Sequence, residues 1–157
     1  MRRMSGVVLA GALILLPAFF QGSVGESARV AAQAQKLTFD GDTAVWIVAV
    51  KPDKTADFEQ LMGKVKEALQ KSDKPERKQQ AAGWRLVKAP KPAPDGNITY
   101  MHLISPVVKD ADYGILPILY EANADPTAQR ALYDQYRGAL ASTLGQAPYS
   151  TVLDLGK

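Results

Sequence analysis

His102 is the side chain of this sequence best suited to chemistry, because it is the one histidine and can exchange a proton near neutral pH. It shares one face of a predicted strand with Tyr100, where it could act as a general base or hydrogen-bond a ligand. A pocket wall around it could come from the aromatic residues Trp46, Trp84, Tyr100 and Tyr113. The interpretation that we favour is core or interface packing for His102 and for these aromatic rings.

Other catalytic chemistries find little support in the residue types. Asp110 and Asp112 could form a carboxylate pair, although turn and helix-cap chemistry explains them more simply. Ser105, Ser150 and Thr151 have no nearby base, and glycine-rich phosphate loops are absent. The sequence contains no cysteine, which excludes disulfides, cysteine-ligated metals and cysteine nucleophiles. The single histidine also excludes a histidine-rich metal site within one chain, although carboxylate-based sites are not excluded. We predict no metal and no cofactor.

The N-terminal residues are typical of a signal peptide. Arg2 and Arg3 precede an apolar run at Val7–Phe20, which is shorter than the ~20 residues that usually span a membrane. Cleavage is expected after Gly25, or as late as Ala34, and the alternative is an uncleaved anchor. The protein is therefore expected to be exported, either to the periplasm or as a secreted protein.

The charge balance argues against nucleic acid as a partner. The formal net charge is +3, and without Arg2 and Arg3 it falls to +1, with 17 basic and 16 acidic residues. A nearly neutral domain gives little reason to expect nucleic acid as a partner. Contact with a membrane is expected only through the signal segment, if that segment stays uncleaved.

The hydrophobic pattern predicts a single α+β domain at residues 43–157, after a flexible lead-in at 26–42. Residues 72–81 and 89–96 are predicted connectors, and one or two helical turns are predicted in residues 111–122. The predicted main elements are strands at Thr43–Lys51, Ala82–Lys88, Asn97–Ser105 and Tyr149–Leu155, and helices at about Thr55–Ser72 and Asp125–Leu144. This βαββαβ order is that of a ferredoxin-like fold, a four-stranded antiparallel sheet with both long helices on one face.

The first predicted strand is apolar on both faces. Val45, Ile47 and Ala49 point one way, whereas Trp46, Val48 and Val50 point the other. One layer of helices can cover one face of a sheet. The second apolar face therefore predicts a second layer, most simply from another subunit.

The chain resembles the dimeric α+β barrel superfamily, which includes antibiotic-biosynthesis monooxygenase-like and NIPSNAP-like domains. The resemblance lies in VWIVAVKPDKTADFEQLM, the pair Gly83-Trp84, ITYMHLISP and ADYGILPILYEA, and it covers roughly residues 43–155. It implies two sheets that meet face to face in a homodimer. Members include monooxygenases, haem-degrading enzymes, isomerases and proteins without known activity. Monooxygenase-like members often use an asparagine beside tryptophans, and the first strand here has Trp46 without an asparagine.

These observations predict an exported homodimeric domain that binds a small apolar or aromatic ligand, or a protein partner, without strong catalysis. Its pocket candidates are Trp46, Trp84, Tyr100, His102 and Tyr113. The alternative is a cofactor-independent enzyme, monooxygenase-like or isomerase-like, that uses His102. A nucleic-acid module is a third hypothesis, because aromatic residues on a four-stranded sheet can stack bases, but the charge balance disfavours it.

Overall fold

The strand Thr43–Val50 (β1) lies inside a four-stranded sheet and pairs with a strand on each side. The computed structural model describes residues 36–156, so the predicted signal segment, with both cleavage positions, lies outside the described residues. The elements after β1 are α1 (Thr55–Lys71), α2 (Pro75–Gly83), β2 (Trp84–Lys88), β3 (Ile98–Ile104), α3 (Ile115–Glu121), α4 (Pro126–Ala139) and β4 (Leu140–Tyr149). None of the described helices is long and apolar enough to span a membrane.

The sheet has the strand order β2-β3-β1-β4, and all neighbouring strands are antiparallel. The helices pack against the sheet, so the predicted ferredoxin-like α+β fold is confirmed. Val45 lies opposite Leu103 of β3 and opposite Ala147 of β4. Residues directly opposite each other share a face, so this register decides which side chains meet the helices.

Helix α1 has the apolar stripe that the sequence predicts. Phe58, Leu61, Val65 and Leu69 are buried at spacings of three and four residues, which places them on one side of the helix. They join Trp46, Val48 and Val50 of β1 in one core with residues of α3 and α4. The core therefore lies between the helices and one face of the sheet.

The predicted connector at Ser72–Ala81 is wrong, because most of it is helix α2. Pro75 stands at the first helical position, where its missing N–H costs no hydrogen bond. Arg77 and Gln80, three residues apart, are buried on one side of this short helix. The burial of these two polar side chains stabilises the segment as a helix, although its charged composition predicts a loop.

The C-terminal boundaries are also wrong. The start of helix α4 is as predicted, since the Asp125 carboxylate accepts from the backbone N–H of Thr127 at 3.1 Å and of Ala128 at 3.2 Å. The helix ends at Ala139 rather than at Leu144, and Leu144 lies within β4. The last strand is Leu140–Tyr149 instead of Tyr149–Leu155, because it pairs along the whole of β1.

Candidate functional site

The helix-facing side of the sheet brings the five predicted site residues together, and we call Trp46, Trp84, Tyr100, His102 and Tyr113 the aromatic cluster. The cluster centres on His102, which is 1% exposed. The indole of Trp46 stacks on the imidazole with ring centroids 4.6 Å apart and an interplanar angle of 21°. The Nε1–H of Trp84 donates a hydrogen bond to His102 Nδ1 at 3.1 Å. An accepting Nδ1 places the proton of the neutral ring on Nε2.

The tyrosines hold the cluster to the surrounding elements. The backbone N–H of Val108 donates to the hydroxyl of Tyr113 at 2.8 Å, and the Tyr113 ring meets Trp84 edge-on at 5.4 Å. The hydroxyl of Tyr100 donates to Glu59 Oε1 at 2.6 Å. These bonds satisfy the polar ends of two buried rings, as a packed core requires.

Burial lowers the pKa of His102 to about 4. The imidazole is therefore neutral at pH 7, and its acceptor nitrogen is already bonded to Trp84. Neither of the two grooves described below includes His102 in its lining. This geometry supports the packing interpretation, while the alternative in which His102 acts on a ligand stays a prediction.

The carboxylates of the 110–112 segment serve local structure. Asp112 Oδ1 accepts from the backbone N–H of Leu37 at 3.0 Å and of Gly114 at 2.8 Å, and Asp110 has a positive φ of 60°. This is the turn chemistry that the sequence suggests. Among residues 36–156 no group of three histidine, cysteine, aspartate or glutamate side chains could hold a metal ion.

A buried ionic network, which sequence reasoning missed, ties α2 to α3. Arg77 is 5% exposed. Its guanidinium binds both carboxylate oxygens of Glu121, with Nε at 3.1 Å from Oε2. Its Nη1 also donates to Gln80 Oε1 at 2.8 Å and to the Asp112 carbonyl oxygen. These hydrogen bonds from Arg77 hold the pKa of Glu121 below its usual value. Pro75, which favours the start of a helix, was the available sequence signal for α2, and it does not indicate that Arg77 is buried.

Two surface grooves lie beside the helices. The larger, of about 830 Å³, runs between α1 and the helices α2 to α4, and charged side chains such as Glu67, Lys71, Lys74 and Glu121 line it. Most of these are paired, since Lys71 contacts Glu67 and Lys74 contacts Glu121. The smaller groove, of about 310 Å³, lies between α1 and β2 and includes Trp84 in its wall, so we call it the Trp84 groove.

The other side of the sheet faces away from the core, and we call it the open face. The register places six large apolar side chains on it: Val45, Ile47, Val87, Met101, Leu103 and Tyr149. Val87 is 42% exposed and Tyr149 is 54% exposed, whereas the four central residues are partly buried by their neighbours. The two-sided apolar pattern of the first strand thus produces an apolar sheet surface.

The two tryptophans of the aromatic cluster are expected to respond differently to replacement by phenylalanine. Trp84→Phe leaves the buried Nδ1 of His102 without its donor, which costs about 1–3 kcal/mol beyond the lost ring contacts. The Trp46 Nε1–H is buried and finds no acceptor among the described residues, so Trp46→Phe removes an unsatisfied group. Urea unfolding should therefore show the larger loss for Trp84→Phe. Equal losses would contradict a stabilising Trp84–His102 hydrogen bond.

Comparison of the chain with known proteins finds no relative. The chain matches no family model, no curated protein and no solved structure. The fold and the site geometry are therefore the observations from which a function can be argued.

Proposed function

We propose that this is an exported homodimeric interaction domain of the dimeric α+β barrel type, in which two copies associate through the open face. The observation that carries the proposal is the apolar open face itself. Export is supported by the charged and apolar N-terminal sequence. Membership of the superfamily is supported by the sequence resemblance and by the ferredoxin-like strand order.

The open face has the composition of a buried surface. Ile47 lies opposite Met101, and Met101 in turn lies opposite Val87, so one apolar row crosses three strands. A second row joins Val45 and Leu103. Monomeric proteins rarely expose contiguous apolar patches of this kind, and such patches commonly mark interaction surfaces.

A second copy of the chain fits this surface better than a charged partner does. Arg85 is the one charged residue among the paired positions on the open face that the structure describes, and it lies on the edge strand β2. A twofold axis through the centre of the sheet would bring apolar rows together and leave Arg85 near the rim. Such isologous pairing of one patch with itself is the commonest dimer geometry.

The proposal is tested by placing a charge in the middle of the open face. Ile47→Lys is expected to weaken self-association at least about 100-fold, because each copy would bury an unpaired ammonium. The isolated domain should remain folded, since Ile47 is only partly buried and a lysine side chain can reach solvent. Sedimentation equilibrium at micromolar protein concentration measures the association constant.

The matched control is Gln70→Lys, which adds the same charge at an exposed position of α1, on the helical side of the domain. It should leave the association constant unchanged. A wild-type domain that stays monomeric at tens of micromolar would overturn the proposal. An Ile47→Lys variant that dimerises like the wild type would show that another surface is used.

A further inference from the structure

We propose that the Trp84 groove binds a small monocarboxylate with an apolar body, such as a medium-chain alkyl acid or an aryl-substituted acid. The groove lies on the helix-facing side of the sheet and is built from α1, α2 and β2 of one chain. The site is therefore independent of association through the open face, and it goes beyond the proposed interaction function.

The walls of the groove are apolar and come from three elements. They consist of Met62, Val65 and Leu69 on α1, Ala81 on α2, and Trp84 and Leu86 on β2. Four of these, Met62, Ala81, Trp84 and Leu86, are only partly buried although they pack against the core. The volume of about 310 Å³ is at the lower end of the range for small-molecule sites. A ligand with an apolar body would complete the burial of these side chains.

Gly63 leaves the groove open on the side of α1. Glycine inside a helix is unfavourable relative to alanine, so its presence calls for a reason. A Cβ at position 63 would meet no heavy atom within 4 Å, so a close approach of another segment does not require the glycine. A side chain at position 63 would instead occupy the groove that Gly63 lines.

Lys66 supplies the charge that selects a carboxylate. It is the one charged residue in the lining of the groove, and its ammonium has no carboxylate partner among the described residues. Two other lysines of the region are paired, since Lys71 contacts Glu67 and Lys88 contacts Glu59. An exposed, unpaired ammonium beside apolar walls complements an anionic head on an apolar body.

The indole of Trp84 makes the wall rigid before any ligand arrives. Its Nε1–H is bonded to the buried His102, so the ring plane is fixed on the groove side. A fixed aromatic wall lowers the entropic cost of ordering the site on binding. It also gives a spectroscopic signal, because the Trp84 indole N–H proton reports changes at this wall.

The experiment titrates octanoate into the full domain and follows heat and the two indole N–H resonances, which are assigned with Trp46→Phe. Saturable binding is expected, with a shift of the Trp84 resonance that exceeds the shift of Trp46. Each methylene added from hexanoate to octanoate should tighten binding by up to about fourfold. Lys66→Gln should weaken octanoate at least fivefold and leave 1-octanol unchanged.

Gly63→Leu should abolish octanoate binding because the new side chain fills the groove. Gly138→Leu is its matched control, since Gly138 also lies inside an exposed helix stretch with no heavy atom within 4 Å of its Cβ position. The proposal is overturned if Gly63→Leu binds like Gly138→Leu, if octylammonium binds as well as octanoate, or if no probe saturates. Repeating the titration with Ile47→Lys separates this site from dimerisation, because a monomer should bind equally well.

Discussion

Between pH 7 and pH 5 the domain is expected to lose about 2 kcal/mol of its unfolding free energy through His102 alone. The ordinary histidine pKa is 6.5, and burial lowers the pKa of His102 to about 4 in the folded state. The unfolded chain therefore takes up a proton in this range while the folded domain does not. Stability rises with pH from about 4 to 6.5 and is then level.

The other shifted acidic groups lie outside this window. Glu59 and Glu121 have pKa values below the usual 4.5, held there chiefly by hydrogen bonds from Tyr100 and Arg77, so their contributions are lost at more acidic pH. Urea unfolding at a fixed protein concentration should be compared for the wild type and for His102→Gln, which keeps an acceptor for Trp84. The variant is expected to be less stable at pH 7 but nearly independent of pH down to 5. A wild type with no pH dependence would show that His102 is not buried as a neutral ring.

Glu121→Ala is expected to cost about 2–4 kcal/mol, because it removes the counter-charge of a buried guanidinium. Arg77 is 5% exposed, and both carboxylate oxygens of Glu121 bind it. The remaining partners of Arg77, Gln80 Oε1 and the Asp112 carbonyl, are neutral and cannot compensate its charge. The Glu121 side chain is 38% exposed, so water would enter and keep the loss in the lower part of that range.

Lys74→Ala is the matched control, since Lys74 binds the same carboxylate at 3.2 Å from an exposed position. An exposed pair contributes at most about 1 kcal/mol, so this variant should be close to the wild type in urea unfolding. Equal losses for Glu121→Ala and Lys74→Ala would mean that the Arg77 network does not stabilise the junction between α2 and α3. The measurement thus distinguishes a buried ion pair from a surface one within a single site.

The periodicity of apolar residues was sufficient to predict an element where a single pattern, alternating or helical, runs through it. The alternating burial of β3 places Tyr100, His102 and Ile104 on the helix side, as the alternation in Asn97–Ser105 predicts. The stripe on α1 and the Asp125-Pro126 helix start were equally readable, because each depends on neighbours within a few residues. These local signals are enough to specify the order of the elements.

The parts that sequence reasoning missed depend on contacts between distant residues. Arg77 and Glu121 are 44 positions apart, and nothing in the charged 72–81 segment shows that its arginine is buried against α3. At the C terminus, helical spacing of leucines extended the predicted helix to Leu144, but pairing with β1 takes residues from Leu140 into the sheet. The Trp84 groove likewise depends on how α1 lies over β2, so Gly63 and Lys66 carried no signal in the chain alone.

The strand order has a consequence for how the chain reaches this fold. The outer strand β4 and its neighbour β1 are separated by about a hundred residues. Strands β2 and β3 are joined by a short connection, so they can pair early in folding. Until β4 arrives, one edge of β1 has unpaired N–H and C=O groups flanked by Val45 and Ile47. An unfinished sheet of this kind is prone to pair with the wrong strand. We therefore expect the final closure of β4 onto β1 to be the slowest and most aggregation-sensitive step of folding.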